Sequence, residues 1–262
     1  MTDDDLLAAF DAQRARLPAR VPEGVVAERD GPLLRTTGWP RGGFVEYRDL
    51  AGLEGGDLDE LIARQLRFSA SRGEAFEWKL HAHDLPRDLP ERLVAAGLVP
   101  DPEEGVAIAA VGAIAVEPQL PAGVRLRDVR ARADLARVAE LESRVYGEDH
   151  AWLAEQLAAR IELAPDAQAI TLAEAGGDVV SAGWVRLDEG TAFARLNGGA
   201  TLPQWRGRGV YRALVAHRAA LAAARGYRYV QVDASADSRP ILERLGFAMV
   251  TTTTPYRWTP PG

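Results

Sequence analysis

The sequence predicts an α/β (α+β) chain with two mixed β-sheets flanked by helices, one in each half; the C-terminal sheet is complete and the N-terminal one degenerate. Three observations carry this reading. A length of 262 residues suits two compact domains. Segments alternating with period two interleave with helical-period segments in both halves. Between them, Glu117-Pro118-Gln119-Leu120-Pro121 interrupts the pattern with two prolines. The expected division is therefore residues 1–116, a linker at 117–122, and residues 123–262.

Composition narrows the function classes. Apolar residues make up 47% and charged residues 26%, the balance of an ordinary globular protein. Lys79 is the single lysine among 31 basic residues, so the arginine bias runs through the whole chain rather than marking one basic face. With a net charge of −7, the sequence gives no reason to expect nucleic acid as a partner. The absence of cysteine excludes disulfides, thiolate zinc sites and a cysteine nucleophile. The start Met1-Thr2-Asp3-Asp4-Asp5 is acidic and lacks the pattern of a secretory signal, so a cytoplasmic address is expected. The apolar run Val106–Val116 is too short to span a bilayer and reads as a buried strand; no membrane partner is expected.

Element by element, the N-terminal half begins with a helix over Leu6–Leu17, capped by Asp4 or Asp5 and stopped by Pro18. Weak strands near Val25 and Leu33 follow. Gly43–Tyr47 alternates as a strand, and Asp57–Ser71 has one apolar face with Gly73 as its stop. Ala75–His81 is a strand, Asp88–Ala96 a helix, and Gly105–Val116 a closing strand. His81 and His83 share a strand face, yet no third ligand is near, so no metal is expected.

In the C-terminal half, Val124–Val129 is a strand, and Asp134–Val145 and Ala151–Leu163 are helices joined by the polar loop Tyr146–His150. Strands at Ala169–Glu174, Val179–Leu187 and Thr191–Leu202 follow. The last contains Gly198-Gly199, which inside a sheet indicates either a bulge facing a ligand or a simple kink. Next comes Gln204-Trp205-Arg206-Gly207-Arg208-Gly209, then an alanine-rich helix from Val210 to Arg225 stopped by Gly226. The first N–H groups of a helix have no internal partner and carry about half a positive charge, so a glycine-broken basic loop there is an anion site. A nucleotide-triphosphate loop needs Gly-Lys-Ser/Thr where this chain has Gly209-Val210-Tyr211, and a dinucleotide fingerprint needs glycine where it has Arg212.

At this loop the chain resembles the GCN5-related N-acetyltransferase (GNAT) superfamily. Gln204-Trp205-Arg206-Gly207-Arg208-Gly209 matches that family's coenzyme A pyrophosphate signature, Arg/Gln-x-x-Gly-x-Gly/Ala, and Ile241-Leu242-Glu243-Arg244-Leu245-Gly246-Phe247 matches its short helix closing on Leu-Gly-Phe. The resemblance implies a GNAT-like sheet in each half and acetyl-CoA as cosubstrate. It implies that the third strand and the strand at Tyr229–Val232 splay, with the pantetheine arm between them against Gly199, Ala200, Thr201 and Leu202. The pyrophosphate is expected on the N–H groups of Gly207, Arg208, Gly209 and Val210, with Gln204, Arg206 and Tyr211 as further coenzyme contacts and Ser235, Ser238 and Arg239 on the coenzyme's other side.

The implied reaction is direct attack by a primary amine, most simply a small molecule, on the acetyl thioester in a ternary complex, by a monomer or homodimer. Many members protonate the leaving thiolate with a tyrosine on the short helix; Leu242 stands at that position here. Tyr256, Tyr211 or a water held by Ser235 are the alternative acids, and Asp233, Glu148, Asp149 and His150 the candidate bases. The N-terminal half repeats the element order with Leu53-Glu54-Gly55-Gly56-Asp57 before its helix, acidic where the other loop is basic. One coenzyme site per chain is therefore expected, not two.

Overall fold

The computed structural model describes residues 2–261 and has the mixed α/β architecture expected. Contacts divide the chain into two compact units, but not at the linker: one comprises the residues up to Val106 together with those from Met249 onward, the other Ala107–Ala248.

In the first unit, α1 (Asp3–Asp11) begins earlier and ends earlier than the pattern implies. Its cap is Thr2, whose side chain accepts from the Asp5 N–H while Asp5 accepts from the Thr2 N–H; both orphan donors are thus satisfied. Ala15 takes a positive φ of 48°, and Arg14 turns away to pair with Asp84 at 2.8 Å, so the helix ends well before Pro18. The strands β1 (Val26–Asp30), β2 (Leu33–Thr37), β3 (Gly43–Glu46) and β4 (Phe76–His81) follow, with α2 (Gly55–Arg72) between β3 and β4. β3 and β4 are parallel, and α2 closes on Gly73 in the left-handed conformation, as its sequence indicates. After α3 (Leu89–Ala95) and the two-residue β5 (Val99–Pro100), the place beside β4 is taken by β12 (Ala248–Trp258), which runs antiparallel to it from Thr253↔His81 to Trp258↔Phe76. The core packs Trp78, Tyr47, Leu58, Leu61, Ile62, Leu89 and Leu93 with Tyr256 from β12.

The second unit contains the end of β6 (Glu104–Ala110), β7 (Val124–Val129), α5 (Arg132–Tyr146), α6 (Trp152–Leu163), β8 (Gln168–Ala175), β9 (Asp178–Leu187), β10 (Phe193–Thr201), α7 (Val210–Ala223), β11 (Tyr229–Ala234) and α8 (Arg239–Arg244). The strand order is β6-β11-β10-β9-β8-β7, with β10 and β11 parallel. The run to Val116 is not all strand. It leaves the sheet after Ala110, where the Val111 N–H donates to the Arg228 carbonyl and Val111–Ile114 winds into the single turn α4.

The two halves therefore exchange strands. The strand beside the parallel pair comes from late sequence in the first unit (β12) and from early sequence in the second (β6). Alternation marks β12 as a strand but does not say which β-edge it pairs with, which is why a division at 117–122 reads naturally from sequence.

Candidate functional site

The candidate site is built in the second unit around the parallel pair. β10 and β11 are in register only over Phe193–Arg195 and Tyr229–Gln231, although the strands continue to Thr201 and Ala234. They part after that short ladder, as expected. On its other edge β10 pairs with β9 through a register shift: Gly198 opposes Gly183 and Ala200 opposes Ala182, leaving Gly199 as the extra residue. The alternative of a kink without a bulge is thereby settled in favour of a bulge. Both glycines are required. Gly198 has φ +65° and a Cβ there would lie 2.4 Å from the Trp184 ring; Gly199 has φ +99° and a Cβ there would lie 2.8 Å from Tyr211.

Beyond Thr201, a 3-10 turn over Pro203–Trp205 leads into the basic loop. Gly207 (φ +71°) and Gly209 (φ +87°) are left-handed, and α7 starts with Gly209 at its N-cap and no side-chain cap. The first-turn N–H groups are thus left to a ligand. Gln204, Arg206, Gly207 and Arg208 are exposed around them. The Arg206 Nε donates to the Thr201 carbonyl at 3.2 Å, and the Arg208 guanidinium stacks 5.1 Å from the Trp205 ring centre. Both guanidiniums keep further donors for an anion. An uncapped helix start between flexible arginines, next to parted strands, has the donor chemistry that a pyrophosphate and an extended amide arm require.

The structure brings Ala200, Thr201, Val210 and Tyr211 together with this loop through the packing of α7 on β10; Ala200 and Leu202 are buried in the core of the unit. After β11, Ser235 and Ser238 face each other at 3.3 Å in a turn, and Arg239 pairs with Glu243 at 3.0 Å on α8. Leu242, at the place of the missing tyrosine, is fully buried.

The candidate acids separate. Tyr256 sits on β12 in the core of the first unit, opposite Trp78, where burial raises its pKa. Tyr211 instead lies on α7 with its ring against Gly199 of the bulge. Burial raises its pKa, while Arg218 and Ser238 pull in the opposite direction. Of the candidate bases, Asp233 accepts from the Gln231 amide at 2.6 Å on β11. His150 lies in the α5–α6 loop, held between the rings of Tyr146 and Trp152, with Nδ1 3.0 Å from the Glu148 carbonyl and its N–H donating to Ser143. Glu148 and Asp149 of the same loop are exposed.

Two charged groups escaped the sequence reading. Arg218 on α7 is fully buried, four residues after Leu214 on the apolar face of its helix. Glu142 on α5 is buried between Val138 and Val145, with no partner for Oε1, and burial pushes its pKa up to about 7. In both cases a charge on an apolar helical stripe was the available signal. For Glu142 the linkage sign follows from the raised pKa: its contribution favours the fold below 4.5 and is lost as pH rises through about 7. Glu142→Gln is expected to remove this loss. Between pH 5 and pH 8 the difference in unfolding free energy between variant and wild type should shift by about 3 kcal/mol in favour of the variant, read from urea midpoints. Parallel stability profiles would refute it.

The element corresponding to the parted pair is tied by hydrogen bonds in the first unit. Past the parallel register of β3 and β4, the Tyr47 hydroxyl donates to Asp84 at 2.7 Å, Arg14 donates to both Asp84 oxygens, and the His81 N–H donates to the same carboxylate. These groups hold one another, and Asp84 is kept well below the usual carboxylate range by its partners against the desolvation of burial. His83 is engaged by Asp11 and Thr251.

Comparison with known proteins agrees with this geometry. Residues 140–258 match the acetyltransferase (GNAT) domain family. The likeness to that family falls on the stretch from α5 to β12 that holds the candidate site. Among solved structures, the chain is similar to a GCN5-related N-acetyltransferase from Kribbella flavida, with a TM-score of 0.67 at 16% identity over 99% of this chain and 95% of that one. It is also similar to a tandem GNAT protein from the clavulanic acid biosynthesis pathway, with a TM-score of 0.64 at 17% identity over 98% and 94% of the two chains. A third, a GCN5-related N-acetyltransferase from Sphaerobacter thermophilus, has a TM-score of 0.61 at 16% identity over 90% and 83%. At these identities the likeness shows the fold. No curated protein matches the chain. The GNAT match ends on β12, the strand that contacts assign to the first unit. No described helix is long and apolar enough to cross a membrane.

Proposed function

We propose that this protein is an acetyl-CoA-dependent N-acetyltransferase that acetylates a primary amine of a small molecule by direct attack in a ternary complex, using one coenzyme site per chain. The observation that carries the reading is the uncapped start of α7 at Gly207–Gly209 beside the point where β10 and β11 part. Gly207, Arg208, Gly209 and Val210 would hold the pyrophosphate through backbone N–H groups, with Gln204 and Arg206 beside them. Gly199, Ala200, Thr201 and Leu202 would line the arm, and Ser235, Ser238 and Arg239 its far side.

Tyr211 is the acid that the geometry favours, since its ring lies against Gly199 of the bulge. For the amine's proton, Asp233 and His150 remain the candidates, on β11 and in the α5–α6 loop. A second reading, a coenzyme-binding sensor without turnover, is favoured by the buried Leu242 where related enzymes place their acid. Release of free thiol from acetyl-CoA across a panel of primary amines separates the two. Turnover on any amine supports the enzyme, with Tyr211→Phe expected to lower kcat about 100-fold. Tight binding of acetyl-CoA with no turnover on the panel supports the sensor.

A further inference from the structure

The buried guanidinium of Arg218 has no counterpart in the reading above. Among the described residues it makes no ion pair with a carboxylate, and its hydrogen bonds all go to backbone: Nε donates to the Leu214 carbonyl at 3.1 Å, and Nη1 to the carbonyls of Trp184 at 3.3 Å and Asn197 at 2.9 Å. Nη2 has no hydrogen-bond partner among the described residues and lies 3.9 Å from where a Cβ on Gly199 would be. Asn197 lies two residues before Gly199, the extra residue of the bulge. The sheet is shaped around this side chain, because a Cβ on Gly183, the bulge's partner on β9, would lie 2.6 Å from Nη1 and 2.9 Å from Cζ.

A buried, unpaired cation is costly, and a methionine or leucine at this position of α7 would pack without that cost. Burial draws the Arg218 pKa down to about 10, and the titratable group coupled to it is Tyr211. An isolated positive charge under the backbone of the bulge, with unused donors on the Gly199 side, is suited to a position where negative charge develops during a reaction.

We propose that Arg218 is a positioning residue for acyl transfer: by holding the Asn197 and Trp184 carbonyls it sets the Gly198–Gly199 bulge, and its charge favours the negatively charged sulfur of the departing coenzyme. This rests on the acetyltransferase reading. The acceptor's nitrogen bonds to the acetyl carbon as the carbon–sulfur bond breaks, with the electron pair going to sulfur. Tyr211 gives its proton to that sulfur, the amine's surplus proton passes to Asp233 or His150 and from there to water, and Tyr211 is reprotonated from water. Arg218 lowers the barrier to the sulfur's charge and stays protonated throughout.

The test uses the whole protein with coenzyme A and its desulfo analogue. Bound coenzyme thiol is titrated by its ultraviolet absorbance in wild type, Arg218→Met, Arg218→Gln and Arg218→Lys. In wild type and Arg218→Lys the bound thiol should titrate at least about half a pH unit below free coenzyme A, and in the Met and Gln variants that depression should vanish. Desulfo-coenzyme A should bind all four proteins within about threefold, which shows an intact pocket. If Arg218→Met does not fold, Arg218→Gln, which keeps a donor but no charge, makes the comparison with Arg218→Lys. A thiol titration that is the same with and without the charge overturns the inference and leaves Arg218 as a structural tie. Failure of wild type to bind either coenzyme overturns the acetyltransferase reading instead.

Discussion

A chain ended after Phe247 is expected to lose the cooperative folding of the first unit, although no residue before Phe247 is changed. β12 begins at Ala248, and the ladder from Thr253 to Trp258 covers the full length of β4. Without it, β4 presents an open edge and the core loses Tyr256 from among Trp78, Leu89 and Leu93. Deleting one large buried aromatic side chain typically costs about 3–5 kcal/mol, a large fraction of the 5–15 kcal/mol that holds an average domain together. Removing the strand also exposes the backbone groups of β4. Tryptophan fluorescence and thermal unfolding give the readout: Trp78, fully buried in the intact chain, should become solvated, and the transition of the first unit should disappear. A peptide spanning residues 248–258, added to the shortened chain, should restore part of it. A shortened chain that melts like the full one would show that the strand exchange contributes nothing to stability.

Gly209→Asp is expected to weaken acetyl-CoA binding about 100-fold, or ~2.7 kcal/mol, while the protein stays folded. The residue caps α7 in the left-handed conformation, so a carboxylate there faces the N–H groups proposed for the pyrophosphate and meets it with like charge. A Cβ at this position approaches the Arg212 Nη2 at 3.3 Å, an exposed and flexible neighbour that can move aside. The backbone cost of a side chain at φ +87° is shared by Gly209→Ala, which serves as the control without the charge. The alanine variant should bind several-fold more weakly than wild type and the aspartate variant far more weakly again. Equal affinities for the two variants would remove the phosphates from this loop.

The parts of the site legible in the sequence are those that constrain the backbone. Gly198, Gly199, Gly207 and Gly209 are written as glycine because each takes a positive φ, and in the first two a side chain would strike Trp184 or Tyr211. The bounds of α7 and the short α8 before Leu245-Gly246-Phe247 follow from the same punctuation. What stayed hidden depends on long-range placement. Tyr256 follows the Leu-Gly-Phe turn by nine residues, yet its strand pairs with β4 and carries it into the other unit's core. The continuous apolar run after Val106 has no period to show where strand gives way to helix, and that change is set by a bond from Val111 to Arg228 far along the chain. Arg218 and Glu142 were visible as charges on apolar helical faces, but one charge on a helix does not reveal what lies opposite it.

The proposed function places one acetyl-CoA site on each chain, at the start of α7, while in the first unit Tyr47 and Arg14 both bond to Asp84. Calorimetric titration of the full chain with acetyl-CoA is the direct test. Saturation at one equivalent per chain is expected in the wild type, with that binding lost in Gly209→Asp; two equivalents, or no heat of binding at all, would overturn the proposal.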